Sequence, residues 1–164
     1  MQPILTSMNI KLFAIGKTDD KNFQQLILDY SKRLSFYIKF DLEIILDIKN
    51  AKNMSETQQK EKEGELILSK IKATDQLILL DEKGTTFSSI SLSNELQKFM
   101  NSGIKTLVFV IGGPYGFSEA VYAKANSKIA LSSMTFSHQM VRLFFIEQMY
   151  RAFTILYNEP YHHK

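Results

Sequence analysis

Residues 106 to 120 read TLVFVIGGPYGFSEA. The run Thr106 to Ile111 is short, apolar and rich in β-branched residues, as in a strand buried on both faces. It stops at Gly112-Gly113-Pro114, and Ser118 then opens a short helix reaching Ala125. Strand, glycine turn and helix in that order are the unit of an α/β fold.

The same alternation extends in both directions. QLILLD, Gln76 to Asp81, is a second buried strand. Met8 to Ile15 has a period of two, with Ile10, Leu12 and Ala14 on one face, and Phe40 to Asp47 repeats it. Lys128 to Ser132 is the fifth strand candidate. Between them, Asp19 or Asp20 caps a helix carrying Phe23, Leu26, Ile27, Tyr30, Leu34 and Tyr37. Ser55 to Gln58 has the form of a capping box, opening a charged helix with Leu66, Ile67 and Ile71 inward. EKGTTFSS reads as a polar loop, and a helix with Leu92, Leu96 and Phe99 ends near Gly103. Ser137 to Asn158 contains no glycine or proline, enough for a helix about 30 Å long. Five strands alternating with five helices predict one α/β domain over residues 1–164. Its sheet is mainly parallel and covered by helices on both faces. Met8 opens the first regular pattern, so Met1 to Ser7 reads as an extension, disordered or from an upstream start.

Composition narrows the function. The 164 residues are 45% apolar and 23% charged, with net charge +3 and no cysteine. Disulfides, thiolate metal sites and cysteine nucleophiles are excluded, and cytoplasmic residence is expected. No apolar run approaches the roughly 18 residues needed to span a bilayer. The mild positive charge permits nucleic-acid binding, but the lysines form no cluster or arm. There is no G-x-G-x-x-G, no P-loop and no G-x-S-x-G. The first strand ends in Ala14-Ile15-Gly16-Lys17 and lacks the acidic pair of a receiver domain. His138, His162 and His163 have no metal-ligand spacing, so no metal is expected.

In parallel sheets ligands bind beyond the carboxyl ends of the strands. The loop after Asp81, the Gly112 turn and the stretch LSSMTFSH (131–138) all fall there. The Gly112 turn has a plain reading, in which Gly112 or Gly113 takes a positive φ and Pro114 ends the ladder. It also has a functional one, with bare backbone touching a flat ligand. The 131–138 stretch caps the last helix through Ser137, and can also offer hydroxyls and backbone donors beside the turn. The last helix is apolar nearly all round, which suggests a subunit interface. Its polar stripe is Glu147, Arg151, Thr154 and Asn158. An i,i+4 ion pair between Glu147 and Arg151 is ordinary on a solvated face, and purposeful on one clad in phenylalanine and methionine. The tail NEPYHHK reads, on composition alone, as a frayed end.

Together LDEKG (80–84), FVIGGPYG (109–116), LSSMTFSHQMVR (131–142), EQMYRA (147–152) and PYH (160–162) closely resemble the ribosomal RNA large-subunit methyltransferase H family. The opening MNIKLFAIGK is similar to that family's start, so the resemblance runs from Met8 to Lys164. It implies a SPOUT fold, with the C-terminal part threaded into a trefoil knot. It also implies a homodimer that binds S-adenosylmethionine in the knot and acts on the assembled ribosome. There the family methylates N3 of a pseudouridine in large-subunit RNA. Carried onto this chain, Leu80, Gly113 and Ser132, Ser133, Met134, Thr135, Phe136 and Ser137 fall on cofactor-contacting positions, with Gly112 and Pro114 shaping the same turn. Arg151, Tyr161 and His162 match positions associated with the target base, and the tail is implied to reach the partner's site. On this reading Arg151, oriented by Glu147, supplies positive charge, while His162 or Tyr161 positions the base or assists the proton's departure. Arg142 and His138 are second-rank candidates for RNA contact or loop support. No metal is needed, because sulfonium methyl transfer is an in-line displacement. The competing reading is a non-catalytic ribosome- or RNA-binding module on the same fold.

Overall fold

The computed structural model describes residues 6–163. Among them β1 (Asn9–Ile15), α1 (Lys21–Ser35), β2 (Lys39–Ile45), α2 (Glu56–Ser69), β3 (Gln76–Thr86), α3 (Ser89–Asn101), β4 (Thr106–Ile111), α4 (Glu119–Lys124), β5 (Ser127–Ala130) and α5 (His138–Leu156) follow in chain order. The strands form one sheet in the order β2-β1-β4-β3-β5, every pairing parallel. The predicted α/β architecture is the observed one. Most of the expected extension, Met1 to Leu5, lies outside the described residues. Ser7 is held by the Lys105 ammonium at 3.3 Å.

Local chemistry sets the element starts. Asp20, rather than Asp19, caps α1, its carboxylate accepting from the backbone N–H groups of Asn22 and Phe23. Ser55 and Gln58 close the expected capping box on α2. Ser88, Ser118 and Ser137 cap α3, α4 and α5 in the same way.

Both sheet faces are buried, and the pleat divides the core in two. Ile10, Leu12, Leu107 and Phe109 pack under α1, α3 and α5. Phe13, Val108, Val110 and Leu79 face Ile67 of α2 and Val121 of α4. This is why β4 is an unbroken apolar run: each alternate residue meets a different core.

Three expectations change. Leu66 faces outward, and the buried residues of α2 are Glu63, Gly64 and Ile67. The Gly64 backbone lies so close to Ser118 Oγ that a Cβ there would collide with it, which brings α2 onto the start of α4. EKGTTFSS is largely strand: β3 continues to Thr86 and pairs with β5 twice, Ile129 being opposite both Leu80 and Thr85. Gly84 makes that approach possible, since a Cβ would lie 2.6 Å from the Ile129 backbone. Finally, much of α5 is covered by its own chain, wedged between α1 and α3 with Phe145, Ile146, Met149 and Phe153 buried. Phe144 and Met140 are its exposed apolar residues. Among the described residues, no helix is long and apolar enough to cross a membrane.

Candidate functional site

A cleft of about 450 Å3 opens at the carboxyl ends of β3, β4 and β5. Leu80, Gly112, Gly113, Pro114, Ser132, Met134, Thr135 and Phe136 all line it. His138 lines it too. Ser133 and Ser137 do not border it; Ser137 Oγ accepts the Met140 N–H at 3.3 Å and caps α5. Ser132 Oγ accepts from the Met134 N–H at 3.0 Å and shapes the loop from within.

The glycine turn is not built as the plain reading had it. Neither Gly112 nor Gly113 has a positive φ; that conformation belongs to Gly116, at 81°. The two glycines are bare for steric reasons. A Cβ on Gly112 would sit 3.1 Å from the Phe117 ring, and one on Gly113 would sit 2.5 Å from Glu63 Oε2. A side chain at 113 therefore first meets Glu63.

The cleft's walls mix Leu80, Ile111 and Leu131 with an acidic rim at Asp81 and Glu82. Asp81 Oδ1 accepts the Lys83 N–H at 2.8 Å, and Oδ2 accepts the Tyr122 hydroxyl. Burial first, then the Asp81 carboxylate, push the Tyr122 phenol up to about 12, so it stays a donor. Arg142 is only 1% exposed, which removes it from RNA contact. Its Nη2 donates to the Ile15 carbonyl at 2.7 Å and its Nη1 to Thr18 Oγ1 at 2.9 Å, tying α5 to the end of β1. Burial lowers its pKa, against the pull of Asp47 and Asp19.

The second group of residues assembles on α5. Glu147 Oε1 accepts from Arg151 Nε at 3.0 Å, Arg151 Nη2 at 2.6 Å and the Tyr161 hydroxyl at 3.0 Å. Arg151 Nη1 lies 3.4 Å from His162 Nδ1. Burial works against the Arg151 charge, but the Glu147 carboxylate outweighs it and raises the guanidinium above its ordinary value. Burial also raises the Tyr161 hydroxyl, reinforced by Tyr30 and Glu147. The tail is therefore no frayed end. Asn158 takes a left-handed φ of 54°, the Glu159 N–H returns to the Thr154 carbonyl at 2.9 Å, and the Tyr37 hydroxyl clasps the Glu159 carboxylate. Tyr161 then packs edge-on against Tyr150, ring centroids 4.7 Å apart, with the Arg151 guanidinium 4.7 Å from its own ring centre.

The candidate residues thus fall into two groups. Arg151, Tyr161 and His162 do not border the cleft. Glu147 borders a neighbouring hollow with Gln148 and Phe144, which shares Leu131, Ser132 and Phe136 with the cleft wall. Tyr37, Glu159, Asp81, Tyr122 and Glu63 escaped the sequence reading. Tyr37 was expected only among the helically spaced residues of the first helix, and the one clue to Glu63 was the glycine beside it in mid-helix. Among the described residues, no group of three or more His, Asp or Glu side chains is placed to hold a metal.

The family model described as "Predicted SPOUT methyltransferase" matches residues 8–162. The ribosomal RNA large subunit methyltransferase H of Flavobacterium psychrophilum is 80% identical over 157 residues, covering 96% of this chain and 100% of that protein. The proteins of the same name from Flavobacterium johnsoniae and Parabacteroides distasonis are 79% and 62% identical over the same shares. With a match running from the first strand to the tail, the chain belongs to the SPOUT methyltransferase family, beside relatives called ribosomal RNA large subunit methyltransferase H.

Proposed function

We propose that this protein transfers a methyl group from S-adenosylmethionine to N3 of a pseudouridine in large-subunit ribosomal RNA, on the assembled ribosome. The observation that carries the reading is the cleft itself, where a glycine turn and a serine-bearing loop face each other beyond three parallel strands. Its lining suits this donor. Leu80, Ile111 and Leu131 favour a flat heterocycle, the turn offers backbone groups, and Asp81 and Glu82 favour a cation. The bound cofactor supplies an electrophilic methyl on a positively charged sulfur.

The α5 group answers the acceptor's chemistry. As the N3–C bond forms, the sulfonium S–C bond breaks and S-adenosylhomocysteine leaves; the N3 proton passes to solvent water, and its departure develops negative charge on the flanking carbonyl oxygens. Arg151, kept cationic and aimed by Glu147, meets that charge, and the imidazole N–H of His162 adds a second donor. Tyr161 remains protonated, so its role is to hold the tail and donate rather than to act as base.

Two further expectations stand on the same reading. Membership of the SPOUT methyltransferase family supports threading of the C-terminal segment through the chain as a trefoil knot. The separation of Arg151 and His162 from the cleft supports a homodimer whose partner brings its tail to this site. Exposed Phe144 and Met140 on α5 supply apolar surface for that contact.

The test is methyl transfer from labelled S-adenosylmethionine to ribosomes lacking the modification, with free RNA and separated subunits as controls and mass spectrometry to locate the methyl group. Labelling of intact ribosomes at a pseudouridine N3 is the expected result. Tight ribosome binding with no transfer and no cofactor binding would instead favour the binding-module reading.

A further inference from the structure

Glu63 is a buried acid that the proposed reaction does not use. It is 3% exposed, and Oε1 accepts from Gln59 Nε2 at 3.0 Å while Oε2 has no partner. A buried oxygen without a hydrogen bond is rare and unfavourable, so it asks for an explanation. Burial, with the Asp47 charge adding to it, raises the carboxyl's pKa against the hydrogen bond from Gln59.

Its position supplies one. Glu63 and Gly64 are consecutive on α2 and touch the two ends of one segment. The Glu63 carboxyl lies against the bare Cα of Gly113, where a Cβ would be 2.5 Å from Oε2 and 2.7 Å from Oε1. The Gly64 backbone lies against Ser118, which caps α4. Between these points runs the turn that lines the cleft. Its conformation does not require glycine at 113, because φ there is not positive. What a methyl group at 113 would meet is the buried Glu63 carboxyl, which would have to shift to admit it.

We propose that Glu63 is the positioning residue of the ligand-binding turn, and that Gly113 lacks a side chain in order to admit the Glu63 carboxyl rather than the ligand. The inference deepens the proposed function and rests on the turn binding S-adenosylmethionine. Residues 63 and 113 are then energetically coupled, and α2 acts as the platform that holds the turn at the right height over β4.

A double-mutant cycle tests this in the full-length protein. S-adenosylmethionine affinity is measured by titration calorimetry for wild type, Glu63→Ala, Gly113→Ala and the double variant, and unfolding temperature is measured without ligand for all four. Gly113→Ala alone should weaken binding by about tenfold or more, since contacting residues couple strongly. Glu63→Ala should weaken it by a few-fold, and Glu63→Gln, which keeps the shape, should bind like wild type. In the Glu63→Ala background the alanine at 113 should add less than about threefold, because the collision is gone. Equal losses in both backgrounds would mean that the methyl group blocks the ligand itself, and would overturn the inference. So would wild-type affinity in Glu63→Ala. If wild type itself binds no S-adenosylmethionine, the proposed function fails instead. The unfolding cycle then still decides whether alanine at 113 is harmful only when Glu63 is present.

Discussion

The cleft and the α5 group are built from opposite materials. At the cleft the Gly112-Gly113 turn presents bare backbone between apolar walls, and Phe117 and Glu63 occupy the space where Cβ atoms on these two residues would sit. On α5 it presents large charged and aromatic side chains, each fixed by another: Glu147 by Arg151, Tyr161 by Tyr30 at 3.3 Å, Glu159 by Tyr37. A backbone site holds a ligand by shape and is sensitive to added atoms. A side-chain site acts by charge and is sensitive to removed ones. The two should therefore fail differently.

The sharpest contrast comes from the tail. A chain ending at Pro160 should fold and bind S-adenosylmethionine like the full chain, yet lose methyl transfer by more than about 10³-fold, since two polar groups disappear together. Undiminished transfer by that variant would break the division of labour. Arg151→Ala comes next, with an expected fall of roughly 10²–10³-fold in kcat and unchanged cofactor affinity. If cofactor affinity collapsed as well, the two regions would be one. Ser137→Ala removes the cap at the junction between them. It should lower stability by about 1 kcal/mol in chemical denaturation and loosen the 131–137 loop, raising the KM for S-adenosylmethionine more than that for ribosomes.

The smallest effect is one of pH. The folded protein holds the Glu63 proton more tightly than the unfolded chain does, the unfolded group having its ordinary value of 4.5. The stabilisation this brings is full below that value and is lost as pH rises through the raised one. Glu63→Gln should flatten this part of the pH–stability curve, and an unchanged slope would show that the fold does not raise the Glu63 pKa.

The same contrast explains what could be read from sequence. Strand β4 and the caps Asp20, Ser55 and Ser137 were legible because period and local hydrogen bonding are properties of neighbouring residues. The cleft's address followed from strand direction, and its motif residues from resemblance. What stayed hidden depended on distant approach. Leu66 seemed as good a core residue as Ile67 until α4 came to lie on Gly64. Glu63 seemed one more surface charge among KEKEGE until Gly113 was placed over it. The polar stretch 82–89 looked like a loop because nothing local reveals that β5 will arrive to pair with it.

Helix α5 joins the two regions, and it does so by counting. It begins at the loop beside the cleft, is pinned to β1 by Arg142, and carries Glu147 and Arg151 further along. Each residue in a helix advances the chain by about 1.5 Å and turns it by about 100°. One residue inserted between Arg142 and Glu147 would leave every local hydrogen bond of the helix possible. It would also swing the Glu147–Arg151 pair to another side of the molecule. The helix works as a ruler with a phase: the number of residues between Arg142 and Glu147 sets which side of the molecule the Glu147–Arg151 pair faces.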